Sequence, residues 1–326
     1  MLGRTLGEAV LTLLLLGSLW NGQAAVLPEG EDQSRPASLP SLKEQNGDRP
    51  ALVRASLPLA EDRDKWPRLR DPRSRGVVVS AQSALVMDSR SGKILFEKEA
   101  NQLRPIASLT KLVTVLVLLD LEPDFESLVI MEASDGQGGS GLVFDEGEVV
   151  SKRDLFRASL AASANDATVA LVRTSGISES EFIYRMNQKV AELGLRETRL
   201  VEVTGLDPKN VSTATEIALL LRRVREIPLL REITQTQRFT VVKNNGQQQE
   251  LRSTNLLLGS FLNQKPYHIV MAKTGSLDEA GFCLALVAGE GDHEVIVVVL
   301  GSETHFSRFD DAKALAYWAL ERWIWK

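Results

Sequence analysis

Ser108-Leu109-Thr110-Lys111-Leu112-Val113-Thr114-Val115-Leu116-Val117-Leu118-Leu119 is the stretch from which this chain is best read. Pro105 precedes it, and residues 112–119 are apolar on nearly every face except Thr114, so the spacing predicts a buried helix. Residues three apart share a helix face, which puts Ser108 and Lys111 side by side. A serine in the first turn also stands among unpaired N–H groups that favour developing negative charge. A capping serine followed by a surface lysine would use the same letters. A decorative lysine at the head of a wholly apolar helix would, however, be costly to desolvate. The pair therefore reads as a nucleophile and its base.

Two more short strings stand further along. Ser163-Ala164-Asn165 interrupts a run, 151–173, that is otherwise helical in pattern and opens with Ser151 and Asp154 as a capping box. Lys273-Thr274-Gly275 closes a strand-like run that begins at Ile269. A second S-x-N, Ser253-Thr254-Asn255, leads into that strand and is too close to it in sequence to come from a separate helical lobe. Ser163 and Asn165 are therefore preferred, and Asn255 reads as a structural loop residue. Residues 136–141 spell Gly-Gln-Gly-Gly-Ser-Gly, a literal G-x-G-x-x-G. A phosphate cradle of that form must open a helix, whereas 142–150 look like strand and turn, so a rim loop is the better reading.

The remaining pattern supplies the architecture. Residues 82–88 and 93–99 predict a hairpin about the turn Ser89-Arg90-Ser91-Gly92, and 179–193 and 213–225 predict helices. Strands are expected again at 269–274, 282–288 and 295–300, then a helix from about Phe309. Two strands, a helical insertion, three strands and a closing helix give an α+β fold. It has a five-stranded antiparallel sheet flanked by helices, with an all-helical lobe opposite. Trp318, Trp323 and Trp325 on the last helix are expected to pack on the sheet and not to form a membrane foot.

Of 326 residues 44% are hydrophobic and 25% charged, enough for a sizeable core, and a net charge of -5 argues against nucleic acid as a partner. Arg4, an apolar run over 10–20 and small residues at Gly22, Ala24 and Ala25 predict a signal peptide, residues 1–24, cleaved after Ala24. An uncleaved anchor would need an apolar run of roughly 20 residues. Residues 25–75, rich in Pro, Ser, Asp, Arg and Glu, predict a disordered spacer, leaving 76–326 as the catalytic domain. Cys283 is the only cysteine, which excludes an internal disulfide, and it is expected to fill core space on a strand. His268, His293 and His305 have no metal-ligand spacing, so neither a metal nor another cofactor is expected.

The ordered set S-x-x-K, S-x-N and K-T-G resembles penicillin-binding proteins and class A β-lactamases. The likeness extends to Ala107 before the serine, Asp166-Ala167 after the S-x-N, Met186-Asn187, Thr204-Gly205-Leu206, Asn210-Val211-Ser212-Thr213-Ala214 and Ala280-Gly281-Phe282-Cys283. From about Gln82 to Lys326 the chain resembles low-molecular-mass penicillin-binding proteins, and within them the D-alanyl-D-alanine endopeptidases of the penicillin-binding protein 7 type. That implies the serine β-lactamase/DD-peptidase transpeptidase-like fold. Carboxypeptidase relatives carry a β-rich second domain after the catalytic one, whereas only 51 residues follow Gly275 here, enough for two strands and a helix. Ser276 and Leu277 stand where relatives often place a bulkier residue.

By that resemblance Ser108 attacks a D-alanyl carbonyl, and Lys111 is the base, its pKa lowered by burial and by a nearby cation, for which Lys273 is the natural choice. Ser163 relays the proton to the leaving amine, and Asn165 holds the peptide amide. The strand Lys273, Thr274, Gly275, Ser276 aligns the substrate. The oxyanion would sit between the backbone N–H groups of Ser108 and Ser276. Thr274 and Arg308 resemble the pair that holds the substrate carboxylate, although Arg308 also reads as a surface arginine at a helix start. Peptidoglycan muropeptides would be the substrates, β-lactams the inhibitors and the periplasm the compartment, with peripheral membrane association left open. A D-alanyl-D-alanine carboxypeptidase is the alternative. A class A β-lactamase would need a deacylating glutamate, usually in E-x-x-L-N, and no such string lies between Asn165 and Lys273. A catalytically dead wall-binding protein gives no reason to keep Ser108, Lys111 and Lys273 together.

Overall fold

Alternation along the strands decides the layering. A computed structural model describes residues 66–74, 76–136, 141–243 and 246–325. The expected signal peptide, the expected spacer up to residue 65 and residues 137–140 of the glycine-rich loop lie outside the described residues. The sheet consists of β1 (Ser83–Asp88), β2 (Ile94–Lys98), β3 (Tyr267–Leu277), β4 (Gly281–Glu290) and β5 (His293–Ser302). Their order is β3-β4-β5-β1-β2, every pair antiparallel, with Leu286 opposite Val297 and Val297 opposite Val86. Successive side chains point to opposite faces. Thus Leu85, Ala285, Ile296 and Val298 join one apolar cluster, while Val86, Leu286, Val297 and Val299 join the other. Both faces are covered, which is why these strands read as unbroken apolar runs.

The helices are α1 (Lys111–Asp120), α2 (Lys152–Leu160), α3 (Asn165–Arg173), α4 (Glu179–Glu192), α5 (Ala214–Val224), α6 (Pro228–Gln235) and α7 (Ser307–Arg322). Helix α7 packs on β4 and β5 from one side, and α5 packs on β5 and β1 from the other. Helix α1 runs through the middle of the helical cluster with Leu112, Val113, Val115, Val117 and Leu118 buried, as its composition predicts. Ser151 caps α2 by accepting from Asp154 N at 3.1 Å. Asp311 of α7 accepts from Ser80 N (2.9 Å), Ala81 N (2.9 Å) and Ser302 Oγ (2.8 Å), fixing the helix to the strand ends beside it.

The predicted α+β layout is the one observed, with several additions. Leu128–Ile130 pairs with Val149–Ser151, and Arg238–Val242 pairs with Gln248–Arg252, so the insertion is not purely helical. The second ribbon has a weak apolar signal because Gln248–Arg252 places only Leu251 in the core. Helix α6 is too short for periodicity to reveal, although Pro228 marks its first turn. The three tryptophans pack on the protein: Trp318 meets Phe96 edge-on at 6.0 Å, Lys93 stands 4.9 Å over Trp323, and Trp325 Nε1 donates to Asp88 Oδ1 at 2.8 Å. Cys283 is buried on β4.

The packed chain also reaches further upstream than composition suggested. Arg68–Leu69 pairs with Trp323–Ile324, Pro67 is buried, and Leu69 leans on the α7 cluster. These residues precede Gly76, so a chain beginning at Trp66 is expected to keep the stability that one beginning at Gly76 loses. Losing the ribbon and the Pro67 and Leu69 contacts should cost roughly 1–3 kcal/mol, or about 2–10 °C in Tm, without abolishing penicillin binding. Differential scanning calorimetry of the two truncations checks this, and equal Tm values would show that the ribbon adds nothing.

Candidate active site

The nucleophile turn is wedged from three directions. Ala107–Thr110 forms a single 3-10 turn that runs directly into α1, so Ser108 lies just ahead of the helix and not inside it. Ile106 N donates to Asn210 O (3.0 Å), while Thr110 Oγ1 donates to Ala107 O (2.8 Å) and accepts from Asn210 Nδ2 (3.1 Å). Gly205, at φ +95°, lies so close that a Cβ there would stand 2.0 Å from Ala107 O. Ala107 itself is held at φ +47° and Ser163 at φ +59°. Left-handed backbone at a non-glycine residue costs of order 1–3 kcal/mol and persists only where the surroundings enforce it. At Ser163 it also explains why the helical run breaks between α2 and α3.

Lys111 is fully buried. Its Nζ donates to Asn165 Oδ1 (2.5 Å) and Thr204 O (2.7 Å), and it stands 3.1 Å from Ser108 Oγ. Burial lowers its pKa from 10.5 to about 7, opposed by the negative charges of Glu202 and Asp166. Asn165 Oδ1 and Thr204 O can only accept. When the amine is neutral its two N–H groups go to those two oxygens, and its lone pair has only the Ser108 hydroxyl to face. That arrangement can withdraw the Ser108 proton.

Lys273 is the second buried amine, donating to Ser163 Oγ (2.6 Å) and Thr274 O (2.9 Å). Burial, with the charges of Lys111 and Arg308 added, pushes its pKa well below the usual lysine range. Burial depresses both amines, and the like charges of Lys111 and Lys273 disfavour each other, in line with the burial and neighbouring cation that the sequence reading invokes. Strand β3 is an edge of the sheet, and at Gly275 it passes so near the turn that a Cβ would stand 2.9 Å from Ile106 O and 3.2 Å from Ser108 N. Glycine is required there by approach alone.

A cleft of about 280 Å3 joins Ser108, Ser163, Thr274, Gly275, Ser276 and Arg308 with Thr254, Leu256 and His305. Arg308 is not a surface residue: it is 4% exposed, donates to Gly275 O at 2.9 Å and stands 4.8 Å over Phe309. Thr254 Oγ1 lies 2.6 Å from Thr274 Oγ1, while Asn255 caps a short turn by accepting from Leu257 N. The second S-x-N therefore supplies a cleft-lining threonine, which sequence spacing alone did not single out. Among the described residues no cluster of His, Cys, Asp or Glu is placed to hold a metal ion.

Two carboxylates to which sequence reasoning gave no role hold the frame. Glu202 accepts from Thr204 N (2.7 Å), Thr204 Oγ1 (2.6 Å) and Asn210 Nδ2 (2.7 Å), fixing the carbonyl that faces Lys111. Asp166 Oδ2 accepts from Val143 N (2.6 Å) and Phe144 N (2.7 Å), tying the rim segment after Gly141 to the start of α3. Asp166 directly follows the S-x-N and stands among the residues that carry the resemblance, whereas Glu202 lies two residues before Thr204-Gly205-Leu206 and has no sequence signal of its own.

Fold and cleft together define a serine DD-peptidase, a hydrolase whose cleft lies between a helical lobe and an edge strand. The chain belongs to the D-alanyl-D-alanine carboxypeptidase family, whose model matches residues 71–304. It is 34% identical over 247 residues to a D-alanyl-D-alanine endopeptidase of Pseudomonas aeruginosa, covering 74% of this chain and 77% of that protein. A D-alanyl-D-alanine endopeptidase of Escherichia coli is 29% identical over 244 residues, again covering 74% and 77%. The cefotaxime-bound structure of penicillin-binding protein D2 from Listeria monocytogenes superposes with a TM-score of 0.64 at 31% identity, covering 74% of this chain and 98% of that one.

A base that must be neutral gives a rate that rises with pH. Penicillin acylation is expected to increase through a midpoint near 7, the value set by burial of Lys111. Glu202→Gln removes a charge that opposes the shift, so its midpoint should move to lower pH. A midpoint that stays or rises would contradict this electrostatic account.

Proposed function

We propose that this chain is a serine DD-endopeptidase that hydrolyses D-alanyl crosslinks in peptidoglycan and is inhibited by β-lactams. The observation that carries the chemistry is the set of neighbours around Lys111 Nζ, two obligate acceptors and the Ser108 hydroxyl. Ser108 Oγ attacks the carbonyl carbon of the D-alanyl residue as Lys111 takes its proton. The oxyanion forms between the backbone N–H groups of Ser108 and Ser276. The C–N bond then breaks as the proton taken by Lys111 passes through Ser163, beside Lys273, to the leaving amine, so that Lys111 is neutral again and a D-alanyl ester remains on Ser108. Water, activated by Lys111, hydrolyses the ester and restores the serine. Asn165 and β3 hold the acyl peptide, while Thr274 and Arg308 hold the carboxylate of the leaving residue.

Support for crosslinks as the substrate comes from the two endopeptidase relatives, each matched over about three quarters of its length. Release of terminal D-alanine is the second reading, favoured by the description of the family model. Muropeptide analysis separates the two. Purified protein should split crosslinked dimers into monomers, and release of D-alanine from pentapeptides with dimers left intact would make it a carboxypeptidase.

The cefotaxime-bound relative supports β-lactams as mechanism-based ligands that open on Ser108. Export to the periplasm rests on the signal-like pattern of residues 1–24, and no described helix is long and apolar enough to cross a membrane.

Fluorescent penicillin should label the wild type and leave Ser108→Ala unlabelled. Lys111→Arg keeps the charge but presents a guanidinium that does not deprotonate usefully, so acylation should fall by at least about 100-fold. Near-normal labelling of either variant would remove the assigned role.

A further inference from the structure

Crosslink and terminal dipeptide present the same group to the carboxylate clamp. In both, the leaving residue is a D-amino acid with a free carboxylate beside the amine being released. They differ only in its side chain, a methyl in D-alanine and a chain of methylenes in a D-configured diamino acid. Arg308 and Thr274 therefore cannot discriminate, and any preference must come from what lies beside them.

His305 is the residue in that place. It lines the same cleft three positions before Arg308 and is exposed there. Its ring stands edge-on to Phe306 at 4.9 Å, Phe309 at 5.7 Å and Phe282 at 6.0 Å. Arg308 lies over two of the same rings, 5.5 Å from Phe282 and 4.8 Å from Phe309, so clamp and aromatic cluster are held in one fixed relation. Phe306 remains 66% exposed and Leu256, on the cleft wall, 49% exposed. Leu256 and the His305 ring are the apolar surfaces of a cleft otherwise lined by hydroxyls, glycine and arginine, and the exposed Phe306 stands behind His305. Burial and the Arg308 charge lower the pKa of His305, which keeps the imidazole neutral and its face apolar at physiological pH.

We infer that His305, backed by Phe306 and Phe282, is an apolar shelf that takes the side-chain methylenes of the leaving D-diamino acid and favours crosslink cleavage over release of D-alanine. This rests on the endopeptidase function proposed above. The shelf acts on the leaving residue, and in penicillin the equivalent position carries a compact dimethyl ring carbon and no methylene chain, so the shelf contributes less to opening a β-lactam than to cleaving a crosslink. A methylene seated in an apolar pocket changes kcat/KM by about 10- to 200-fold, and a half-open shelf belongs at the low end.

The test is the ratio of kcat/KM for a crosslinked muropeptide dimer to the second-order rate constant for penicillin acylation, measured on the full chain. His305→Ala and, separately, Phe306→Ala should lower that ratio, by about tenfold for His305→Ala. His305→Phe, which keeps a flat apolar ring, should restore most of it. A ratio unchanged in both alanine variants, or one that falls as far in His305→Phe as in His305→Ala, overturns the shelf. If the wild type acylates with penicillin but does not cleave dimers, the endopeptidase function itself fails and the shelf falls with it. A wild type that cleaves dimers while the variants keep the ratio sinks the shelf alone.

Discussion

A single buried amine organises this protein. Lowering a lysine from 10.5 to about 7 corresponds to roughly 5 kcal/mol of disfavoured charge. The folded pKa lies below the unfolded one, so the penalty stands in full below about pH 7 and disappears as pH rises toward 10.5. Two carbonyl oxygens at 2.5 and 2.7 Å offset part of that cost by meeting two of its N–H groups in either protonation state. Every unusual backbone feature nearby serves those oxygens or the serine opposite them. The left-handed Ser163 stands in the break between α2 and α3, so that Asn165 can open the second. Gly205 lets the Thr204 carbonyl reach Lys111 while the following backbone presses on the nucleophile turn.

The sheet supplies the other half. β3 is held against the turn by glycine at position 275, and its free edge faces the cleft where an extended peptide can lie alongside it. Arg308 reaches that strand from α7, and α7 is fixed in turn by Asp311 on Ser80, Ala81 and Ser302. Residues from both ends of the domain thereby fix Arg308 against the cleft strand.

Much of this was legible in the sequence, for identifiable reasons. Strands covered on both faces read as continuous apolar runs, so the five-stranded sheet and its hairpin were visible. An apolar helix headed by a lysine is rare enough to mark α1 and its serine. What stayed hidden was whatever depends on one polar side chain meeting distant backbone. Glu202 and Asp166 act by collecting N–H groups that no periodicity announces. Thr254 enters the cleft only because its segment packs beside Thr274. The upstream limit of the packed chain was misplaced because Pro67 and Leu69 are few among charged neighbours, and a two-residue ribbon leaves no period to read.

The central claim is that Lys111 exists as a neutral amine facing Ser108 near neutral pH. Carbon-13 NMR of lysine ε-carbons, with the Lys111 resonance assigned by its loss in Lys111→Arg, reads its protonation directly in the resting enzyme. The account predicts a titration midpoint close to 7. A Lys111 that stays protonated to pH 9 or above would contradict it, because the lone pair on which the mechanism depends would then be absent.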